Sequence, residues 1–132
     1  MAKVQEIVAR ALRLIQVQDA RQPVKAVDMQ TGIAVLNAMC ARWEANGLAI
    51  GWRPVSNPGD DMPCPVEAEE AITFNLALAL APEYVTEPPA VVVGTAARGL
   101  SDLRADVKAA SPLRPDRGVT AHGYDTRTDR FY

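Results

Sequence analysis

Histidine occurs once in this chain and cysteine twice, so the usual vocabularies of metal ligation and disulfide bonding are almost empty. His122 stands between Ala121 and Gly123 in a polar C-terminal stretch, a poor place to hold a base in register. Cys40 and Cys64 cannot build a disulfide framework or a metal site. Cys40 falls on an apolar helix face and reads as small apolar filler, which suits folding in a reducing cytosol. No Gly-rich phosphate loop, H-E-x-x-H, C-x-x-C or nucleophile elbow occurs. No cofactor is expected. The longest apolar run, Ala71 to Ala81, is too short and too interrupted by Asn75 and Pro82 to span a bilayer. Residues 1–20 are charge-sprinkled and helical in pattern, so neither a signal peptide nor a membrane anchor is expected.

Basic residues are missing from one long stretch. Between Pro54 and Ala97 there are seven acidic residues and no base, against a balance of +3 before it and +2 after it. The net charge of −2 calls for neither nucleic acid nor an acidic membrane surface. Two readings of the acidic stretch stand. One is helix-end carboxylates plus an acidic loop; the other is a negative band that meets a basic partner or repels DNA. The carboxylate pairs Asp60/Asp61 and Glu67/Glu70 are the only trace of enzyme chemistry, since a glycosidase needs two such groups. They fall in a solvated loop and at a helix N-terminus, where acids are expected anyway. The chain does not read as an enzyme.

What is present is helix. At 132 residues and 14.2 kDa, one domain with a modest core is expected. The run from Glu69 to Tyr84 is apolar nearly all round, with Thr73 and Asn75 its only polar side chains from Ala71 to Ala81. Such a segment belongs in the middle of a domain or an assembly. Pro65, Glu67, Glu69 and Glu70 mark its start, and residues 65–84 form the expected central helix. Val4, Ile7, Val8, Ala11, Leu12 and Ile15 give a first helix over residues 2–17, with Leu14 off the stripe. Met29, Ile33, Leu36, Cys40 and Trp43 mark a second over 24–46, stopped by Gly47. Gly32 inside it suggests a close helix crossing. Leu48 to Val55 alternates weakly and could form a short strand, and Ser56 to Pro65 is turn chemistry. Pro88-Pro89 opens a fourth helix carrying Val92, Ala96, Leu100, Leu103 and Val107. Leu36, Cys40, Trp43, Ile72, Leu76, Leu80, Leu100 and Leu103 are the expected core.

The last 22 residues, Ser111 to Tyr132, have no periodicity and cannot bury enough surface to fold alone. Their aromatics are spaced like anchors on a strap that docks elsewhere. The fold expected is all-α: a small four-helix bundle-like domain over 1–110, a short irregular or strand-like insertion between helices two and three, and an extended C-terminal arm over 111–132. Candidate partner-binding residues are Trp52 and Arg53 in the insertion and Tyr124, Arg127, Arg130, Phe131 and Tyr132 in the arm, aromatic and arginine side chains being the types that dominate interfaces. For Trp52, core packing is the competing reading.

Three runs in this order carry a resemblance. They are Met1-Ala-Lys-Val-Gln-Glu-Ile-Val-Ala-Arg-Ala-Leu-Arg-Leu-Ile15 before a polar turn, Leu36-Asn-Ala-Met-Cys-Ala-Arg-Trp43 with Gly47-Leu-Ala-Ile50, and Phe74-Asn-Leu-Ala-Leu-Ala-Leu-Ala-Pro-Glu-Tyr84. Over residues 1 to about 108 the chain resembles the head-to-tail connectors of short-tailed bacteriophages, the tail accessory factors that bind below the portal. The resemblance implies a structural virion protein at the head–tail junction, assembled in the bacterial host cytoplasm as a homo-oligomeric ring, commonly of twelve copies. Its implied partners are the portal protein, a downstream tail or nozzle protein, and double-stranded DNA passing through without sequence-specific binding. Such a ring extends the DNA channel, helps retain the packaged genome and gives the tail its platform. Family members carry a longer, strand-rich insertion between the second and third helices, where this chain has only the Pro-rich stretch 51–64. A small helical binding or regulatory module whose tail docks on a protein partner is the alternative from the residues themselves.

Overall fold

The computed structural model describes residues 2–17, 21–110, 124–125 and 130–131. Four helices form the body: α1 Val4–Leu14, α2 Ala26–Ala45, α3 Val66–Leu80 and α4 Ala90–Ala110. The run expected to be central is central. Helix α3 packs against α4 on one side and against α1 and α2 on the other, and Ala68, Ala71, Ile72, Thr73, Leu76, Ala77 and Leu80 are buried along it. The two polar side chains of its apolar run turn inward to the backbone. Thr73 Oγ1 donates to Glu69 O at 2.7 Å, and Asn75 Nδ2 donates to Ala71 O at 2.7 Å and across to Ala96 O of α4 at 3.1 Å. Both groups are thereby satisfied in an apolar layer where an unpaired one would be costly.

Pro65 is the residue before the helix rather than its first member, with an extended ψ of 149° and a carbonyl that accepts from Ala68 N–H at 3.0 Å. After Leu80 the chain tightens into a 3-10 turn, Ala81–Tyr84, because Pro82 cannot continue the α pattern. Val85 ends that turn with φ of 52°, a left-handed conformation that a β-branched residue rarely takes. Tyr84 donates its hydroxyl proton to Asp28 Oδ1 at 2.9 Å, tying this turn to the start of α2. Burial, followed by the bond to Asp28, pushes the Tyr84 phenol up to about 12.

Gly32 marks a helix crossing, as its place in α2 suggested. A Cβ there would lie 2.3 Å from Val8 Cγ1 of α1. Gly47 supplies the positive φ, +92°, that ends α2. All six stripe residues of α1 are buried, and Leu14, off the stripe, is partly buried against the core. Of the eight core residues expected, Trp43, in the last turn of α2, and Leu100, at the edge of the α4 face, are only partly buried; the other six are buried.

The stretch 48–55 is not a strand. Gly51 at φ +77° and Pro54 interrupt an extended ladder, and side chains of α2 take the place of a partner strand. Glu44 Oε1 accepts from Ile50 N–H at 3.1 Å and Trp52 N–H at 2.8 Å. Asn37 brackets Val55, donating to its carbonyl at 2.7 Å and accepting from its N–H at 3.0 Å. Beyond it the loop caps α1: Val4 N–H donates to Asp60 O and Gln5 N–H to Pro58 O, both at 2.9 Å. These are orphan donors of a helix N-terminus, satisfied here by loop carbonyls. In the arm, Tyr124–Asp125 (β1) and Arg130–Phe131 (β2) pair antiparallel, Tyr124 opposite Phe131 and Asp125 opposite Arg130.

Candidate interaction surface

Trp52 and Arg53 are neighbours in sequence and differ in environment. Trp52 is partly buried and packs on the core. Its indole N–H is buried with no partner among the described residues, a group that normally finds one. Arg53 is exposed and lines two shallow grooves of about 480 and 360 Å3, both walled by Asp61 and Pro63. The Glu44 carboxylate fixes the backbone on either side of Gly51 and so sets where Arg53 leaves the surface. In the arm the strand pair brings the backbones of Tyr124, Arg130 and Phe131 into one two-residue register. Arg127 and Tyr132 lie outside the described residues.

The acidic stretch does not form one band. Asp60 accepts from Asn57 N–H at 3.2 Å within its own turn, and Asp61 holds Lys3 Nζ at 2.7 Å. The ammonium beside Asp61 keeps its carboxyl below the usual range, and the carboxylate holds Lys3 above its own. Glu69 accepts from Ala2 N–H at 3.2 Å. These three carboxylates anchor the N-terminus and its loop. Glu67 and Glu70 stay exposed at the start of α3, while Glu83 and Glu87 lie beyond its other end, about 22 Å away at 1.5 Å per residue. The Asp60/Asp61 pair thus has structural partners, and the Glu67/Glu70 pair faces an open groove beside α4.

The cysteines are buried and unbonded. Burial first, then neighbouring charge, pushes the Cys40 thiol up to about 12 and the Cys64 thiol up to about 11. Neither is a nucleophile at neutral pH. Among the described residues no cluster of three His, Cys, Asp or Glu could hold a metal ion, and no helix is long and apolar enough to cross a membrane.

Sequence reasoning missed the exposed valines. Apart from Val66 at the start of α3, 61% exposed, they are Val27, Val85, Val91 and Val93, which are 75%, 93%, 77% and 44% exposed. Val27 opens α2, Val85 follows the 3-10 turn, and Val91 and Val93 open α4. The Tyr84–Asp28 bond and the antiparallel packing of α4 on α3, fixed by Asn75 to Ala96, place these starts at one end of the bundle. The signal was available, since none of the four belongs to an inward stripe. An apolar end of this kind is a surface for association rather than catalysis.

Compared with known proteins, residues 1–128 match the family model described as P22 tail accessory factor. The match includes the shortened loop at 51–64 and extends about twenty residues past the resemblance visible in the sequence. No curated protein matches the chain.

Proposed function

Because the chain belongs to the P22 tail accessory factor family, whose members are structural parts of a phage tail and so of the virion, we propose that it is a head-to-tail connector. In this reading copies form a ring, of twelve where the portal has twelvefold symmetry, beneath the portal protein at the head–tail junction. The ring extends the DNA channel, helps retain the packaged genome and offers a platform to the next tail protein. Assembly takes place in the host cytoplasm, and the protein performs no catalysis.

The family match over nearly the whole chain carries this reading. Three features support it. The body is a helical unit with valines exposed at one end, which suits a part that is completed by neighbours. The grooves among the described residues are shallow and the two thiols are buried, with raised pKa values. From Pro54 to Ala97 no cationic side chain is available to neutralise phosphate, so DNA can pass without being held.

The test is native mass spectrometry and negative-stain imaging of the full-length protein, alone and mixed with purified portal rings. A ring stacked on the portal is expected. A protein that stays monomeric or dimeric and leaves the portal bare would instead favour a small helical binding module whose arm docks on some other protein.

A further inference from the structure

Among the described residues, helix α4 is covered on one side only. Val92, Ala96, Gly99 and Leu103 turn toward α3, and a Cβ at Gly99 would lie 3.1 Å from Ala71 Cα. The opposite side shows Val91, Gly94, Ala97, Ser101 and Ala105, all exposed. Nothing lies within 4 Å of the place a Gly94 Cβ would take. Small side chains on an open helix face let another backbone come close.

The flanks of that face carry opposite charge. Two steps along an α-helix turn about 200°, so Asp102 and Asp106 project from one flank and Arg104 and Lys108 from the other. The first pair shares a groove of about 110 Å3 with Glu67 and Glu70 of α3, four carboxylates against the single guanidinium of Arg98. The second pair lines a groove of about 350 Å3 beside Asn46 and Gly47 at the end of α2. All six charged side chains are exposed, and among the described residues none forms an ion pair within the chain.

We propose that α4 is the contact between successive copies of this chain, the Glu67, Glu70, Asp102 and Asp106 flank of one copy seating against the Arg104 and Lys108 flank of the next. The inference rests on the ring reading and names the surface that builds the ring. A second copy is the occupant because the complement of the acidic flank is carried by the same helix, at the same level and on its other side. Each copy then has one flank of each sign, which is a head-to-tail contact, and such contacts close into rings when the rotation between copies closes. A foreign basic protein would account for the acidic flank and leave the basic one unused. Complementary exposed charge sets direction and partner choice more than raw affinity.

The experiment uses full-length protein, alone and on portal rings, read by sedimentation velocity and negative stain at low and at high salt. Asp102→Lys with Asp106→Lys, or Arg104→Glu with Lys108→Glu, each lowers self-association by about tenfold or more. All four substitutions in one chain, with Glu67→Lys and Glu70→Lys added, restore it, because the flanks are then exchanged in sign. Arg13→Glu on α1, which packs on α2 and α3, leaves it unchanged. Thermal melts of every variant check that the fold persists. Wild-type rings with double variants that assemble equally well overturn the α4 contact and leave the ring reading standing. So does a sixfold variant that melts normally and stays dissociated. Wild-type protein that never exceeds a dimer in either setting overturns both.

Discussion

Gly32 and Val8 show how little space the body has to spare. Alanine at Gly32 would place its Cβ 2.3 Å from Val8 Cγ1, so one helix must move. The helix-propensity gain of alanine over glycine is about 1 kcal/mol, and the overpacking cost is about 1–3 kcal/mol. Gly32→Ala is therefore expected to destabilise in urea titration, and Val8→Ala in the same chain to recover part of the loss. Asn37 is the second sensitive residue, since it alone satisfies both polar groups of Val55. Asn37→Ala should cost about 2–3 kcal/mol, the range for leaving buried backbone groups unpaired, and Asn37→Asp, which sets a carboxylate oxygen against the Val55 carbonyl, should cost no less. The buried thiols set an alkaline limit. A thiol whose folded value is raised from 9.0 to about 12 keeps its proton in the native state while the unfolded chain loses it. Stability is then unaffected below pH 9 and falls as the pH rises through the window from 9 toward 12. Melts at pH 7, 9 and 10.5 should show the decline, and it should be smaller in a Cys40→Ala, Cys64→Ala variant.

At the scale of elements, the helices were legible because each has a periodic stripe with punctuation at its ends. Gly47, Pro65 and Pro89 sit within two residues of the observed boundaries. The α1 stripe was read without error, whereas Trp43 in α2 and Leu100 in α4 were expected deeper than they lie, since period alone does not say how wide the buried face is. The stretch 48–55 looked like a strand because it alternates, yet a strand needs a partner edge and none follows in the sequence. What holds it are Glu44 and Asn37, whose reach across from α2 no local pattern announces. The Tyr84–Asp28 bond is of the same kind, a long-range pairing of two ordinary residues. Of the candidate partner-binding residues, Trp52 lies against the core and Arg53 is open, a distinction two adjacent letters cannot carry. The α3–α4 contact offers a prediction at this scale. A Cβ at Gly99 would lie 3.1 Å from Ala71 Cα, a backbone atom that cannot yield without moving the helix. Gly99→Val should lower stability by about 1–3 kcal/mol, and it should also shift the outer face of α4. A Gly94→Ala variant, with open space at the same helix, should be neutral or slightly stabilising by comparison.

At the scale of the whole molecule, body and arm are expected to divide the work of stability and docking. Among the described residues the core lies within Val4 to Leu103, and every helix-to-helix contact is made before residue 111. Removing residues 112–132 therefore deletes none of these core residues and should leave a helical protein that melts cooperatively near the parent temperature. What it removes is Tyr124, Arg127, Arg130, Phe131 and Tyr132, a set rich in the side chains that dominate interface hot spots. Several anchors on one segment also act together, because docking the first raises the effective concentration of the next. Truncated protein should fail to co-sediment with portal rings at concentrations where the full chain binds. Phe131→Ala with Tyr132→Ala should reproduce part of that loss, about 2–4 kcal/mol if both are hot spots. The two surfaces are separable in the same experiment. Reversing charge on α4 should leave single copies able to dock through the arm while lowering the number bound per portal, and truncation should abolish docking whatever the state of α4. Truncated protein that binds the portal as well as the parent would move the docking surface to the helices or to the Gly51–Cys64 loop, where Arg53 is the exposed cation.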